Sequence, residues 1–242
     1  MSRHIDLKIF FGIVFPMKFY KSFVISFIIL NYFSLGCVPP PSQMPKTPTG
    51  SQSKLDQELF ERATLHQGKG QIESAIVLWK KFLQRNPNSY LARNNLGLLY
   101  YANDDITQAI YYFEEGIKLS PSEIHLKANL VRALKVQAVI FEENGEYNEA
   151  IKDLRRVEQL ATVREREDIE RQIEALEDLI FKQVQRSGSI EEYQEFLKRY
   201  PNSPGNSDEA RLWVEKKLQD EKINNRESRS NNSIPSLAIE TK

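Results

Sequence analysis

The chain repeats itself at an interval of 34 residues, and few architectures tolerate that interval. Ala75 and Ala109, Trp79 and Phe113, and Pro87 and Pro121 are each 34 apart. A unit of this length cannot bury its own apolar face alone, so copies must stack around a shared core. The residue types say what each unit is. A small Ala lets two helices cross closely, and an aromatic four residues on lies on the same helix face and fills the space beside it. Proline ends the second helix, because it donates no backbone hydrogen bond and disfavours helix at the residue before it. Asn86 and Ser120 are turn-forming residues at those ends. We therefore expect an all-α chain, a short helical solenoid of helix–turn–helix units.

A third unit is altered. Gly145, Tyr147, Ala150, Ile151 and Leu154 reproduce the turn and second helix, but Ala109 and Ala150 are 41 apart, seven more than the period. Seven residues are two helical turns, about 10 Å. The extra length is expected in a helix from about Glu123 to Glu143, where Ile124, Ala128, Val131, Leu134, Ala138 and Phe141 keep spacings of three and four. Beyond Ala161 only helical periodicity continues. Ile169, Ile173, Leu176, Ile180 and Val184 form one stripe, flanked by opposite charges at i,i+4 such as Arg166/Glu170, Glu167/Arg171 and Asp178/Lys182. Ser187-Gly188-Ser189 ends that helix, and Pro201 stops the next at Tyr200. A final helix is expected with Asp208 or Ser207 as cap and Ala210, Trp213, Val214 and Leu218 inward. These C-terminal helices are expected to be degenerate members of the stack.

The small, aromatic and proline positions of the first two units, with Leu96, Gly97 and Tyr100 on a first helix, resemble the tetratricopeptide repeat (TPR). The first unit departs from the pattern at Arg62, Ala63 and His66. The resemblance implies a right-handed solenoid whose first helices line a concave groove for a protein or extended peptide. The family's ligand-touching positions fall on Gln57, Phe60, Thr64, Gln67 and Gly68, and on Leu91, Asn94, Leu98, Tyr101 and Ala102. Counted back from Ala150, they fall on Arg132, Lys135, Val139, Glu142 and Glu143 in the third unit. From these we take Phe60, Asn94, Leu98, Tyr101, Arg132 and Lys135 as the candidate groove. Phe60 and Tyr101 are either partner anchors or buried by self-packing. The family's chaperone-tail clamp needs Lys and Asn where this chain has Phe60 and Thr64, so that ligand is not expected. The run Phe196 to Ser203 resembles the TPR-like repeats of envelope lipoproteins.

The N-terminus carries a different signal. Lys18 and Lys21 precede an apolar run, Ser22 to Gly36, which Cys37 closes. That order is the order of an export signal. Phe33-Ser34-Leu35-Gly36-Cys37 resembles a bacterial lipoprotein signal, in which the cysteine is lipidated. It departs where the family prefers Leu and this chain has Ser34. The alternative is an uncleaved anchor with an incidental cysteine. Val38 is not the Asp that retains lipoproteins in the inner membrane, so the resemblance favours the outer membrane. Met17 gives a more compact signal than Met1. Val38-Pro39-Pro40-Pro41-Ser42 opens a proline-rich tether. The expected organisation is a signal peptide over 1–36, a tether over 37–53, three repeats over 54–161, TPR-like or capping helices over 162–223, and a disordered polar tail over 224–242.

Composition excludes more than it selects. With 33 basic and 33 acidic residues there is no basic footprint for nucleic acid. One cysteine cannot form an intrachain disulfide. His4, His66 and His125 have no metal-ligand spacing. The doublets Glu114/Glu115, Glu142/Glu143 and Glu191/Glu192 fit solvated helix surfaces, and Gly68-Lys69-Gly70 fits an inter-helix turn rather than a phosphate loop. We expect no enzyme activity, no cofactor and no small-molecule substrate. The expectation is a lipid-anchored scaffold in the bacterial cell envelope, with a protein in its groove. Alternatives are an adaptor that oligomerises through the charged helix 162–186, or an accessory subunit of a cell-wall or secretion/pilus machine.

Overall fold

A computed structural model describes residues 51–231, and side chains over 53–227. Cys37, the segment 1–36, all but the end of the tether, and residues 232–242 lie outside the described residues. Those described form α1 (Ser51–Gly68), α2 (Ile72–Arg85), α3 (Tyr90–Ala102), α4 (Ile106–Leu119), α5 (Ile124–Glu143), α6 (Tyr147–Leu160), α7 (Val163–Ser187), α8 (Ile190–Arg199) and α9 (Asn206–Asn231). Each packs chiefly on its neighbours in sequence, with α3 also meeting α5. This is the all-α TPR-type solenoid expected, with the less regular α7 to α9 at its C-terminal end.

The small and aromatic positions do what their chemistry requires. Ala75, Ala109 and Ala150 are fully buried, and Trp79 and Phe113 nearly so. At Gly97 an added Cβ would lie 2.6 Å from Cδ1 of Phe113, so α3 and α4 approach as closely as they do only because no side chain intervenes. The core has two clusters, one over α1 to α3 and one from α4 onward, and Tyr100 packs against both.

Position by position, α3 and α5 match at the repeat interval. Ala92, Asn95, Leu96 and Leu99 are buried, and so are Leu126, Asn129, Leu130 and Ala133, each 34 residues later. The period therefore runs through the first half of α5. The two extra turns follow it, at the end of α5 that leads into α6. The same positions in α1 are Glu58, Glu61, Arg62 and Leu65, all exposed. They face the side where a preceding repeat would sit, so α1 begins the described stack with a charged outer face; of the family departures, Arg62 lies on that face while Ala63 is fully buried.

Two boundaries differ from expectation. The last helix begins at Asn206 and runs to Asn231, past Asn224. The Asn- and Ser-rich composition suggested disorder there, yet residues 224–231 contain no Pro or Gly, and Arg226, Glu227 and Arg229 favour helix. At its start, Ser207 is buried and donates to the Tyr200 carbonyl at 2.7 Å, while Asp208 pairs with Arg211 at 2.8 Å. Neither serves as the expected cap. At the other end, helix begins at Ser51, slightly inside the expected tether.

The turn inside each repeat requires a left-handed residue: Gly70 (φ 69°), Asp104 (φ 58°) and Gly145 (φ 78°). Asp104 is the one described non-glycine residue in that region, where its Cβ is strained. Asp104→Gly should therefore stabilise the protein by up to about 1 kcal/mol, measured as a higher denaturation midpoint.

A second strain is electrostatic. Asp153 of α6 is buried; Oδ1 accepts from Arg156 at 3.0 Å, and Oδ2 has no partner. Burial pushes its carboxyl above the usual carboxylate range, against the pull of Arg156. A carboxyl raised on folding contributes stability below its unfolded value of about 4, and that contribution is lost as pH rises through the folded value. Asp153→Asn stays neutral, so its stability relative to the native protein should improve from about pH 4 to about pH 7. Denaturation curves across that range should show the two proteins diverging with rising pH.

Candidate functional site

The groove-facing residues of α1, α3 and α5 fall into rows 34 residues apart: Phe60, Asn94 and Ala128; Thr64, Leu98 and Arg132; Gln67, Tyr101 and Lys135. Arg132 and Lys135 therefore fall at the family's groove positions whether counted back from Ala150 or forward from α3. The forward count, which the burial pattern supports, aligns them with Leu98 and Tyr101.

The six sequence-selected residues do not act alike. Asn94 is only 5% exposed. Its Oδ1 accepts from Asn129 Nδ2 at 2.8 Å, and Asn129 Oδ1 accepts from Arg132 Nη1 at 3.0 Å. This ladder ties the groove faces of two consecutive repeats and holds the Arg132 guanidinium from one side. Leu98 and Tyr101 are half-buried, and Arg132 and Lys135 are exposed. Phe60 stands apart. Its ring meets Trp79 edge-on at 5.1 Å and Phe82 at 5.8 Å, so it contributes to the packing of α1 on α2. Gln67, in the third row, accepts from Trp79 Nε1 at 3.0 Å. The structure thus brings together Asn94, Leu98, Tyr101, Arg132 and Lys135, and engages Phe60 within its own repeat.

Beyond α5 the groove continues onto α7. Lys135, Glu165, Asp168, Arg171 and Gln172 line a hollow of about 410 Å³. Asp168 and Arg171 pair with each other, and Glu165 accepts from the backbone and hydroxyl of Thr162 in a capping box. Those Thr162 bonds hold the Glu165 carboxyl below the usual range. Lys135 makes no ion pair among the described residues, so its ammonium is the cation available there. Asn129 and the α7 wall escaped sequence reasoning. Asn129 had a signal, since it repeats Asn95 at the period; the α7 residues had none, because the family pattern fades before them.

Residues 60–124 match the tetratricopeptide repeat family, a segment running from α1 to the start of α5. Over 99 residues, 40% of the chain, there is 25% identity to protein O-mannosyl-transferase tmtc2 of Xenopus laevis, and the chain spans 12% of that protein's length. Among solved structures, the N-terminal domain of stress-induced protein-1 from C. elegans is similar at 13% identity and a TM-score of 0.39. That match covers 53% of this chain and 99% of that one. The MamA protein is similar at 21% identity and a TM-score of 0.38, covering 76% and 98%. The repeat period, the recurring left-handed turn and the family match agree on tetratricopeptide-type repeats over residues 60–124, and a stack of that kind suggests a scaffold for protein–protein interaction.

The ladder makes its own prediction. Asn129→Ala leaves Asn94 Oδ1 without its donor and removes the brace on Arg132. It should cost about 1–3 kcal/mol in unfolding free energy. The same substitution in an Asn94→Ala background should cost less, and the difference in a double-mutant cycle measures the bond.

Proposed function

We propose that this protein is a lipid-anchored scaffold of a bacterial cell envelope that holds an extended segment of another protein in its groove. The observation that carries the groove half of this proposal is the surface running from Leu98 and Tyr101 through Arg132 to Lys135. It offers apolar contact on α3 and two positive charges on α5, of which Arg132 is braced by the Asn94–Asn129 ladder. An apolar side chain against α3 followed by an acidic group near Arg132 and Lys135 fits that order. Half-buried Tyr101 gives large contact area at low entropy cost, and a braced Arg132 loses less freedom on binding than a mobile one. The anchoring half rests on the lipoprotein-like Cys37 and the proline-rich segment after it, with the outer membrane favoured by Val38. Assembly of an outer-membrane complex is the role this arrangement suits.

The adaptor alternative receives less support. The apolar stripe of α7, Ile169, Ile173, Leu176, Ile180 and Val184, is buried within the stack, which leaves only the charged outer face of helix 162–186 for a second copy.

Crosslinking and affinity capture from envelope membranes tests both halves. Tyr101→Ala and Arg132→Ala should each weaken capture of the same partner by roughly 5- to 100-fold, the range of interface anchors. Cys37→Ser should release the protein from membranes while leaving capture in detergent intact. A partner set unchanged by both groove substitutions would rule out the groove, and membrane retention of Cys37→Ser would rule out the lipid.

A further inference from the structure

The first helix has a face that no described helix covers. The positions Glu58, Arg62 and Leu65 of α1 correspond to Ala92, Leu96 and Leu99 of α3 and to Leu126, Leu130 and Ala133 of α5, all buried where one repeat follows another. With Leu55 they form one seam on α1, at spacings of three, four and three. Leu55 is 44% exposed and Leu65 53%. They stand ten residues apart, about 15 Å along the axis. Between them the exposed Glu58 and Arg62 pair with each other at 3.4 Å.

The last helix carries a matching seam. Ser207 and Ala210 of α9 are buried and Val214 half-buried, so that side turns to the stack. Leu212, 67% exposed, and Ile223, 45% exposed, lie on the opposite side. They are eleven residues apart, about 16 Å. Glu215 and Lys222 flank the line between them, exposed and with no ion pair among the described residues. Laid antiparallel on α1, α9 sets Ile223 against Leu55, Lys222 near Glu58, Glu215 near Arg62 and Leu212 against Leu65. Laid parallel, it sets Glu215 against Glu58, a repulsive pair. Antiparallel is also the arrangement by which α2 meets α3, since only four residues join them. Single exposed apolar side chains are ordinary. These four are set apart by their matching separations and by the opposite charges between them.

We infer that α1 of one copy of this chain docks on α9 of a second copy, in the place a preceding repeat would occupy. The apolar ends supply the contact, and the charges between them set its direction. Such a contact is heterologous: each copy keeps a free face, so association continues past the dimer. It uses neither the groove residues nor α7, and its outcome is separate from that of the groove. Sedimentation equilibrium of the full chain in density-matched detergent tests it, at concentrations up to about 1 mM, which reaches weak contacts. The average mass of the native protein should rise above the monomer's with concentration. Leu65→Glu, which blocks the α1 face, and Leu212→Glu, which blocks the α9 face, should each weaken association by about tenfold or more. Mixed in equal amounts, the two variants should form a dimer and nothing larger, because one intact α9 face meets one intact α1 face. Arg62→Glu should weaken association several-fold, and adding Glu215→Arg to the same chain should restore it. All four side chains are exposed, so the variants keep the fold. A monomer at every concentration, full association by either leucine variant alone, as a symmetric pairing gives, or no dimer in the mixture would overturn the inference.

Discussion

The stack depends on how closely one helix of a repeat lies against the other. Where Phe113 meets Gly97 there is no room for a methyl group, and where Leu126 meets Gly116 an added Cβ would lie 2.8 Å from Cδ2. These two contacts lie on either side of α4, against α3 before it and α5 after it. Interiors pack at near-crystalline density, so a side chain added at Gly97 or Gly116 must displace the buried Phe113 ring or the buried Leu126 side chain. Set those two distances and the next repeat has one place to sit. The buried quartet of α3 then recurs on α5 at the repeat interval, and the Asn94–Asn129 bond forms across the groove.

The ends of the stack obey the same rule with opposite chemistry. An interior first helix buries the positions that face its predecessor. In α1 those positions carry Glu58, Glu61 and Arg62, whose burial without partners would cost several kcal/mol apiece. The departure from the repeat pattern at Arg62 therefore belongs to this exposed, charged face. At the other end, α9 is tied back to α7 by Asn206 Nδ2 to Asp178 Oδ1 at 2.7 Å and Gln185 Nε2 to Glu209 Oε1 at 2.7 Å. Trp213 stacks on Tyr193 at 3.9 Å, and the later turns of α9 project as an exposed polar helix.

Much of this architecture was legible in the residues, for a physical reason. Small, aromatic and proline positions report packing constraints that recur in every unit, so the period, the helix count of the first two repeats and the helical third unit could all be read directly. The place of the two extra turns could not. Apolar spacing stays in phase on either side of a seven-residue insertion, and only the burial of Leu126, Asn129, Leu130 and Ala133 shows that they follow the first half of α5. The groove was half legible. Family positions pointed to Asn94, Leu98, Tyr101, Arg132 and Lys135, but not to where Phe60 turns, because rotamer choice depends on Trp79 and Phe82 of the facing helix. The burial of Glu177 on α7 was hidden by its setting: within a stripe of apolar residues on a charged helix, one more glutamate looks like surface.

Where the insertion falls also decides what a partner meets. Two turns added before Asn129 would have rotated and shifted α5 against α3, breaking the rows that pass from Leu98 to Arg132 and from Tyr101 to Lys135. Added after them, they lengthen only the end of α5 that leads into α6 and leave the groove in register. A chain crossing that surface passes from apolar contact on α3 to fixed positive charge on α5, then to the mixed charges of α7, where Asp168 is already neutralised by Arg171. Charges that are satisfied internally discriminate weakly between partners. Arg132, held on one side by Asn129, and Lys135, with no ion pair among the described residues, are the charges whose pairing a ligand would change. Under the proposed function, electrostatic selectivity in this groove would therefore reside on α5, the helix whose lengthening left the repeat register intact.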